Sequence, residues 1–120
     1  MKYFITGTTS GIGEAIKKRL SSHEVFEINR ADVDLNTPEL INSIKLPTVD
    51  YAILNAGHDL GGGVPFTEHD PSSIQKILNC NLISNVLLTQ KLLQNNTNTI
   101  GIINIPPNKN IGFIIGSFSL

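Results

Sequence analysis

Three glycines stand where a chain could take hold of a phosphate. Gly7, Gly11 and Gly13 fall in Thr6-Gly7-Thr8-Thr9-Ser10-Gly11-Ile12-Gly13, between a short apolar run and a segment of helical period. Glycine lets the backbone turn tightly and lets a ligand come close to it. A helix starting near Gly11 offers unpaired N–H groups and the positive end of its dipole, both suited to a pyrophosphate. The strand–turn–helix context lifts this spacing above coincidence. Arg30 follows about 20 residues later, where an acid would hydrogen-bond the ribose 2′-hydroxyl of NAD and an arginine would accept the 2′-phosphate of NADP. No acid stands at that tip, which reads Asn29-Arg30; Glu27 shares the strand face of Asn29 but lies further back. NADP is therefore expected in preference to NAD.

Other side chains carry weaker chemistry. Asn81 falls on an otherwise apolar helical stripe with Ile74, Ile77, Leu78 and Leu88. A buried amide without partners costs roughly 1–3 kcal/mol, so Asn81 is a candidate site residue. His58, Asp59, His69 and Asp70 lack the spacing of a helical ligand pair, and no metal site is expected. Cys80, with no nearby His or cation, reads as a small core residue.

The elements that must position these residues follow from period and punctuation. Tyr3-Phe4-Ile5 reads as a buried strand stopped by Gly7. Ile12, Ala15, Ile16 and Leu20 then share one helix face. Val25-Phe26-Glu27-Ile28 is a second strand, Asp32-Val33-Asp34-Leu35 a vestigial third, and residues 38–45 a helix with Asn36 or Thr37 as cap and Pro38 just inside. Tyr51-Ala52-Ile53-Leu54 is the next strand, ended by Asn55-Ala56-Gly57. After a loop with Gly61-Gly62-Gly63, Asp70 caps a long helix with Pro71 at its first position, ending at Asn95-Asn96-Thr97. In the tail, Ile100–Ile105 and Ile111–Gly116 are both strand-like around Pro106-Pro107; either could be the fifth parallel strand, or both a hairpin. Strands alternating with helices predict an α/β fold, a Rossmann-like doubly wound parallel sheet truncated after about the fifth strand, in a single domain over residues 1–120.

Composition narrows the class. The 120 residues are 40% hydrophobic and 16% charged, too apolar for disorder. A net charge of -1 and no Lys/Arg cluster leave no footprint for nucleic acid or an anionic membrane. A single cysteine cannot make an intramolecular disulfide, which fits a reducing, cytoplasmic setting. No apolar stretch reaches the roughly 18 residues needed to span a bilayer.

Three motifs in order carry a family resemblance. The Thr-Gly-x-x-x-Gly-Ile-Gly turn, Asn55-Ala56-Gly57 after a strand, and Asn81-Leu82-Ile83-Ser84 on a long helix resemble the short-chain dehydrogenase/reductase family over about residues 2–96. The resemblance implies a dinucleotide held by Gly7, Thr9, Ser10, Gly11, Ile12, Gly13 and Arg30, with Asp34-Leu35 near the adenine. Ala56 and Gly57 would lie against a ribose, while Asn55 braces the sheet. It also implies hydride transfer between NADP or NAD and a small carbonyl or alcohol, with Asn81 holding a water of the proton relay. Ser117 would orient the substrate if 111–116 is the fifth strand; the alternative register, 101–105, puts Pro106-Pro107 where the serines belong. The family's Tyr-x-x-x-Lys pair is absent from this sequence, whose tyrosines are Tyr3 and Tyr51. Two functional readings stand: an oxidoreductase represented by its cofactor-binding part, as a fragment, a prematurely ended frame or a natural half-domain, or a non-catalytic dinucleotide-binding or oligomerising module. An apolar sheet edge predicts a homo-oligomer.

Overall fold

The computed structural model describes residues 1–57, 65–98 and 100–105. Strands β1 (Lys2–Thr6), β2 (Glu24–Ile28), β3 (Tyr51–Leu54) and β4 (Gly101–Asn104) form one sheet. The order is β2-β1-β3-β4, and every pairing is parallel. Helix α1 (Gly11–Arg19) joins β1 to β2, and α2 (Pro71–Leu78) and α3 (Ser84–Asn95) lie between β3 and β4.

Pairing alternation decides what each face buries. Phe4, Ala52 and Leu54 share one face and meet Leu88 and Leu92 of α3 in the main core. Ile5, on the opposite face of β1, is fully buried as well. A strand covered on both sides reads as a continuous apolar run, as Phe4-Ile5 does. Beyond β3 the second face opens to solvent: Ile103 is 52% exposed, and Tyr51 lies over the bare Cα of Gly101. Helix α1 is thinly anchored. Ile12 is 61% exposed and Ala15 exposed, leaving only Ile16 and Leu20 of the expected stripe half-buried.

Residues 31–49 depart most from the expected pattern. No strand forms at Asp32–Leu35. Asp32 Oδ2 accepts the Asn29 N–H at 2.8 Å, and Asp34 Oδ1 accepts the Asn36 N–H at 3.0 Å. Such short polar side chains satisfy the local backbone and bend it into successive turns, in place of sheet pairing. The expected helix over 38–45 is a 3₁₀ helix, Pro38–Ser43. Lys91 Nζ donates to the Ile41 and Asn42 carbonyls at 2.8 and 2.9 Å, and Ser43 Oγ to the Leu40 carbonyl at 2.8 Å, so these acceptors already have partners.

The long helix follows its caps but not a uniform period. Asp70 accepts the Ser73 N–H at 2.7 Å, with Pro71 at the first position. Between α2 and α3 the chain is a π-helix, Asn79–Ile83. In the tail, β4 is built from Gly101–Asn104 beside β3, so the first of the two strand-like segments extends the sheet. Ile111–Gly116, Ser117, Pro106-Pro107, His58, Asp59 and Gly61–Gly63 lie outside the described residues.

Candidate functional site

The sheet order places a reversal between β1 and β3: the chain moves from β1 outward to β2, then crosses back to β3. Ligands of open α/β sheets sit beyond the strand ends at such a switch point. The ends of β1 and β3 are tied together there. Thr6 Oγ1 accepts the Asn55 and Ala56 N–H groups at 3.0 and 2.9 Å, and Asn55 Nδ2 donates to the Gly7 carbonyl at 2.9 Å.

The glycines are required by this geometry. Gly7 has φ +72°, a region that favours glycine, and a Cβ there would stand 3.0 Å from the Ala56 Cα. Gly11, at the helix start, has φ +57°, and the space where a Cβ would point is open to 4 Å. At Gly13 a Cβ would fall 1.9 Å from the Gly7 carbonyl oxygen and 2.5 Å from Asn55 Nδ2. Hydrogen at this position lets α1 dock directly on the turn.

The tip of β2 is held from the same turn. Asn29 Oδ1 accepts the Thr8 N–H at 2.8 Å, and the Thr8 hydroxyl donates to Glu27. Glu27 also pairs with Lys17 at 2.9 Å. The Thr8 hydrogen bond, followed by that from Lys17, lowers the Glu27 pKa from its ordinary value of 4.5. The carboxylate is thus committed to the β1–α1 side. Arg30, next to Asn29, is exposed, and among the described residues no carboxylate is bonded to it.

These strand ends enclose a cavity of about 310 Å³. Gly7, Thr9 and Ser10 line it from the glycine turn, Arg30, Asp34 and Leu35 from beyond β2, and Asn55, Ala56 and Gly57 from beyond β3. Gly11, Ile12 and Gly13 belong to the adjoining helix start and are not among the lining residues. Ile28, Asn29, Val33, Asn36 and Cys80 also line the cavity, though their sequence context did not single them out as a site. The alternation Ile28, then Val33 and Leu35, was the available signal for an apolar wall. Cys80 belongs to the core as expected and reaches the cavity too. Burial, and next the Asp34 charge, push its thiol up to about 11.

Asn81 is buried within the π-helix and is not among the lining residues; its carbonyl accepts Asn85 Nδ2 at 3.1 Å. The described residues therefore bring the glycine turn, Arg30, Asp34 and Asn55–Gly57 together, while Asn81 lies in the π-helix next to the lining residue Cys80. Ser117 is outside the described residues.

No protein-family model matches the chain, and no curated protein does. Solved structures do. A protein of Listeria innocua superposes with a TM-score of 0.69 at 22% identity, over 81% of this chain and 51% of that one. A short chain dehydrogenase family protein of Francisella tularensis gives 0.68 at 23% identity, over 86% and 49%. Serine dehydrogenase from Escherichia coli gives 0.61 at 23%, over 87% and 61%. The chain thus spans about half the length of the first two structures and about three fifths of the third. Over that span it has the Rossmann-type fold of the short-chain dehydrogenases.

Proposed function

We propose that the switch-point cavity binds a nicotinamide dinucleotide, NADP in preference to NAD, and that the chain is the cofactor-holding part of a short-chain dehydrogenase/reductase acting on a small carbonyl or alcohol. The observation that carries this reading is the glycine turn. Gly13 admits α1 to within van der Waals reach of the Gly7 carbonyl, while open space lies off Gly11 at the helix start. A helix N-terminus with that approach left clear fits a pyrophosphate.

The residues offer partners along the length of the cofactor. The helix start at Gly11–Gly13 would take the pyrophosphate, Arg30 the 2′-phosphate, and the Val33–Leu35 wall with Asp34 the adenosine. Ala56 and Gly57 would back the second ribose. Glu27 is spent on Thr8 and Lys17, which supports the phosphate-bearing cofactor. When bound, the nicotinamide supplies the hydride donor or acceptor. Asn81 is proposed for water placement; the substrate-orienting role of Ser117 is tied to 111–116 as the strand beside β3, a place that Gly101–Asn104 takes. Burial of the Asn81 side chain in a π-helix suits an amide held for one orientation. A homo-oligomer accords with the apolar strand β4, and a reducing cytoplasmic setting with the single cysteine.

A second reading draws on one observation. With β4 at Gly101–Asn104, the sequence next to it is Ile105-Pro106-Pro107, where the resembling family carries serines. Proline has no hydroxyl to orient a substrate, which favours a dinucleotide-binding module without turnover. Calorimetric titration of the chain with NADPH and NADH tests the binding that both readings share. Saturable binding, tighter for NADPH, is expected. A folded chain that binds neither nucleotide refutes the assignment.

A further inference from the structure

The cavity wall beyond β2 is held by the helix opposite it. Leu35 and Asn36 belong to no strand, yet their carbonyls have partners. Ser84 Oγ, fully buried, donates to the Leu35 carbonyl at 2.6 Å. Asn79 Nδ2 donates to the Asn36 carbonyl at 3.2 Å. Asn79 opens the π-helix and Ser84 follows its last residue, and the Ser84 N–H bonds back to the Asn79 carbonyl across five residues.

The π segment explains why both donors reach one turn. In a regular α-helix, residues five apart are rotated by about 140° beyond a full turn, so only one could face the wall. The i→i+5 bond widens the turn, so that residues five apart come onto one face, as i and i+4 do in an α-helix. We propose that Ser84 and Asn79, brought onto one face by this π-helix, are positioning residues for the adenosine end of the cofactor, acting through the Val33–Asn36 wall. The proposal rests on the dinucleotide reading above. The wall stands next to Arg30 at the tip of β2, the position that meets the adenosine ribose in folds of this type. Its apolar members, Val33 and Leu35, are both buried, so they gain their places from packing and from the held carbonyls.

Ser84→Ala removes the buried donor, and Asn79→Ala removes the half-buried one with less risk to folding. Each variant is titrated with NADPH, with 2′,5′-ADP and with nicotinamide mononucleotide, and the amide exchange of Asn36 is followed without ligand. The expected result is a roughly tenfold loss for NADPH and 2′,5′-ADP together, with nicotinamide mononucleotide unchanged and Asn36 exchange faster. The loss should also shrink in an Asp34→Ala background, since residues acting through one wall are not additive. Unchanged 2′,5′-ADP affinity in both variants, equal losses for both half-ligands, or additivity with Asp34→Ala overturns the positioning role. Wild-type chain that binds neither NADPH nor 2′,5′-ADP overturns the dinucleotide reading itself, and this inference with it.

Discussion

Replacing Gly13 by alanine puts the helix–turn contact under its most direct strain. The new Cβ would lie 1.9 Å from the Gly7 carbonyl oxygen, 1.1 Å inside the 3.0 Å that real Cβ atoms respect. The obstacle is backbone, so no side-chain rotation relieves it. The Cβ would also sit 2.5 Å from Asn55 Nδ2, whose bond to Gly7 joins the ends of β1 and β3. Overpacking of this kind costs about 1–3 kcal/mol, and losing the amide bond adds to it, for about 2–4 kcal/mol in all. That is a large share of the roughly 5–15 kcal/mol that holds a domain folded. Gly11→Ala is the control: its Cβ meets open space, and only the φ of +57° is penalised, at about 1–2 kcal/mol. Urea unfolding of both variants, followed by NADPH titration under native conditions, reads the two terms separately. Gly13→Ala should lose more stability than Gly11→Ala and at least tenfold in affinity. A Gly13→Ala chain as stable as wild type would refute the close-docking argument.

Arg30→Ala should weaken NADPH by about tenfold or more while leaving NADH within twofold, since a charge-assisted bond to phosphate is worth about 1.5–3 kcal/mol; equal loss for both nucleotides would reject Arg30 as the discriminating residue. Glu27 has a folded pKa below its ordinary 4.5, so its stabilisation is present above that value and disappears as the pH falls through the folded pKa. The stability gap between wild type and Glu27→Gln should therefore close as the pH drops below 4.5, and a gap constant with pH would contradict the Thr8–Lys17 network as its cause. Cys80, with its thiol pushed up to about 11, should react with a disulfide reagent at pH 8 far more slowly in the native chain than in urea; comparable rates would mean that the thiol is not buried. Ile103→Lys puts a charge on the exposed apolar face of β4 and should shift light-scattering mass toward the monomer, whereas unchanged mass would move the association surface elsewhere.

The parts of the fold legible in the sequence are those whose hydrogen bonds are local or whose burial has a simple period. β1, β2 and β3 are short runs of aromatic and β-branched residues ended by Gly7, Asn29 and Asn55, and their positions follow. The Asp70–Pro71 helix start was legible for the same reason, because cap and first turn are consecutive residues. The glycine turn could be placed, but not the contact that makes Gly13 necessary, since Gly7 and Asn55 come from two different strands. β4 was ambiguous because Gly101-Ile102-Ile103-Asn104 and Gly112-Phe113-Ile114-Ile115 have nearly the same pattern, and pairing with Tyr51–Leu54 is not written in either. Thr6 and Thr8 are not recognisable as braces from the sequence, because a threonine at a strand end has an ordinary β-propensity explanation.

Residues 31–49 were illegible for a deeper reason, and it bears on the site. A segment without sheet pairing must satisfy its backbone groups elsewhere. Beyond the local turns, the partners here are side chains about 50 positions later: Asn79 and Ser84 for the Asn36 and Leu35 carbonyls, Lys91 for Ile41 and Asn42, Asn95 for Leu46, and Asn96 for the Val49 N–H. Read in isolation, those asparagines and that lysine look like a solvated helix face. Read against the segment, they are its substitute for a neighbouring strand. The wall carrying Asp34 and Leu35 is consequently registered to the helix as well as to the tip of β2, where the Asp32 and Val33 N–H groups bond the Asn29 carbonyl, while the glycine turn and Asn55–Gly57 are registered to β1 and β3. The two sides of the cavity are thus set by different elements, and a change confined to the helix can alter one side while the other keeps its place.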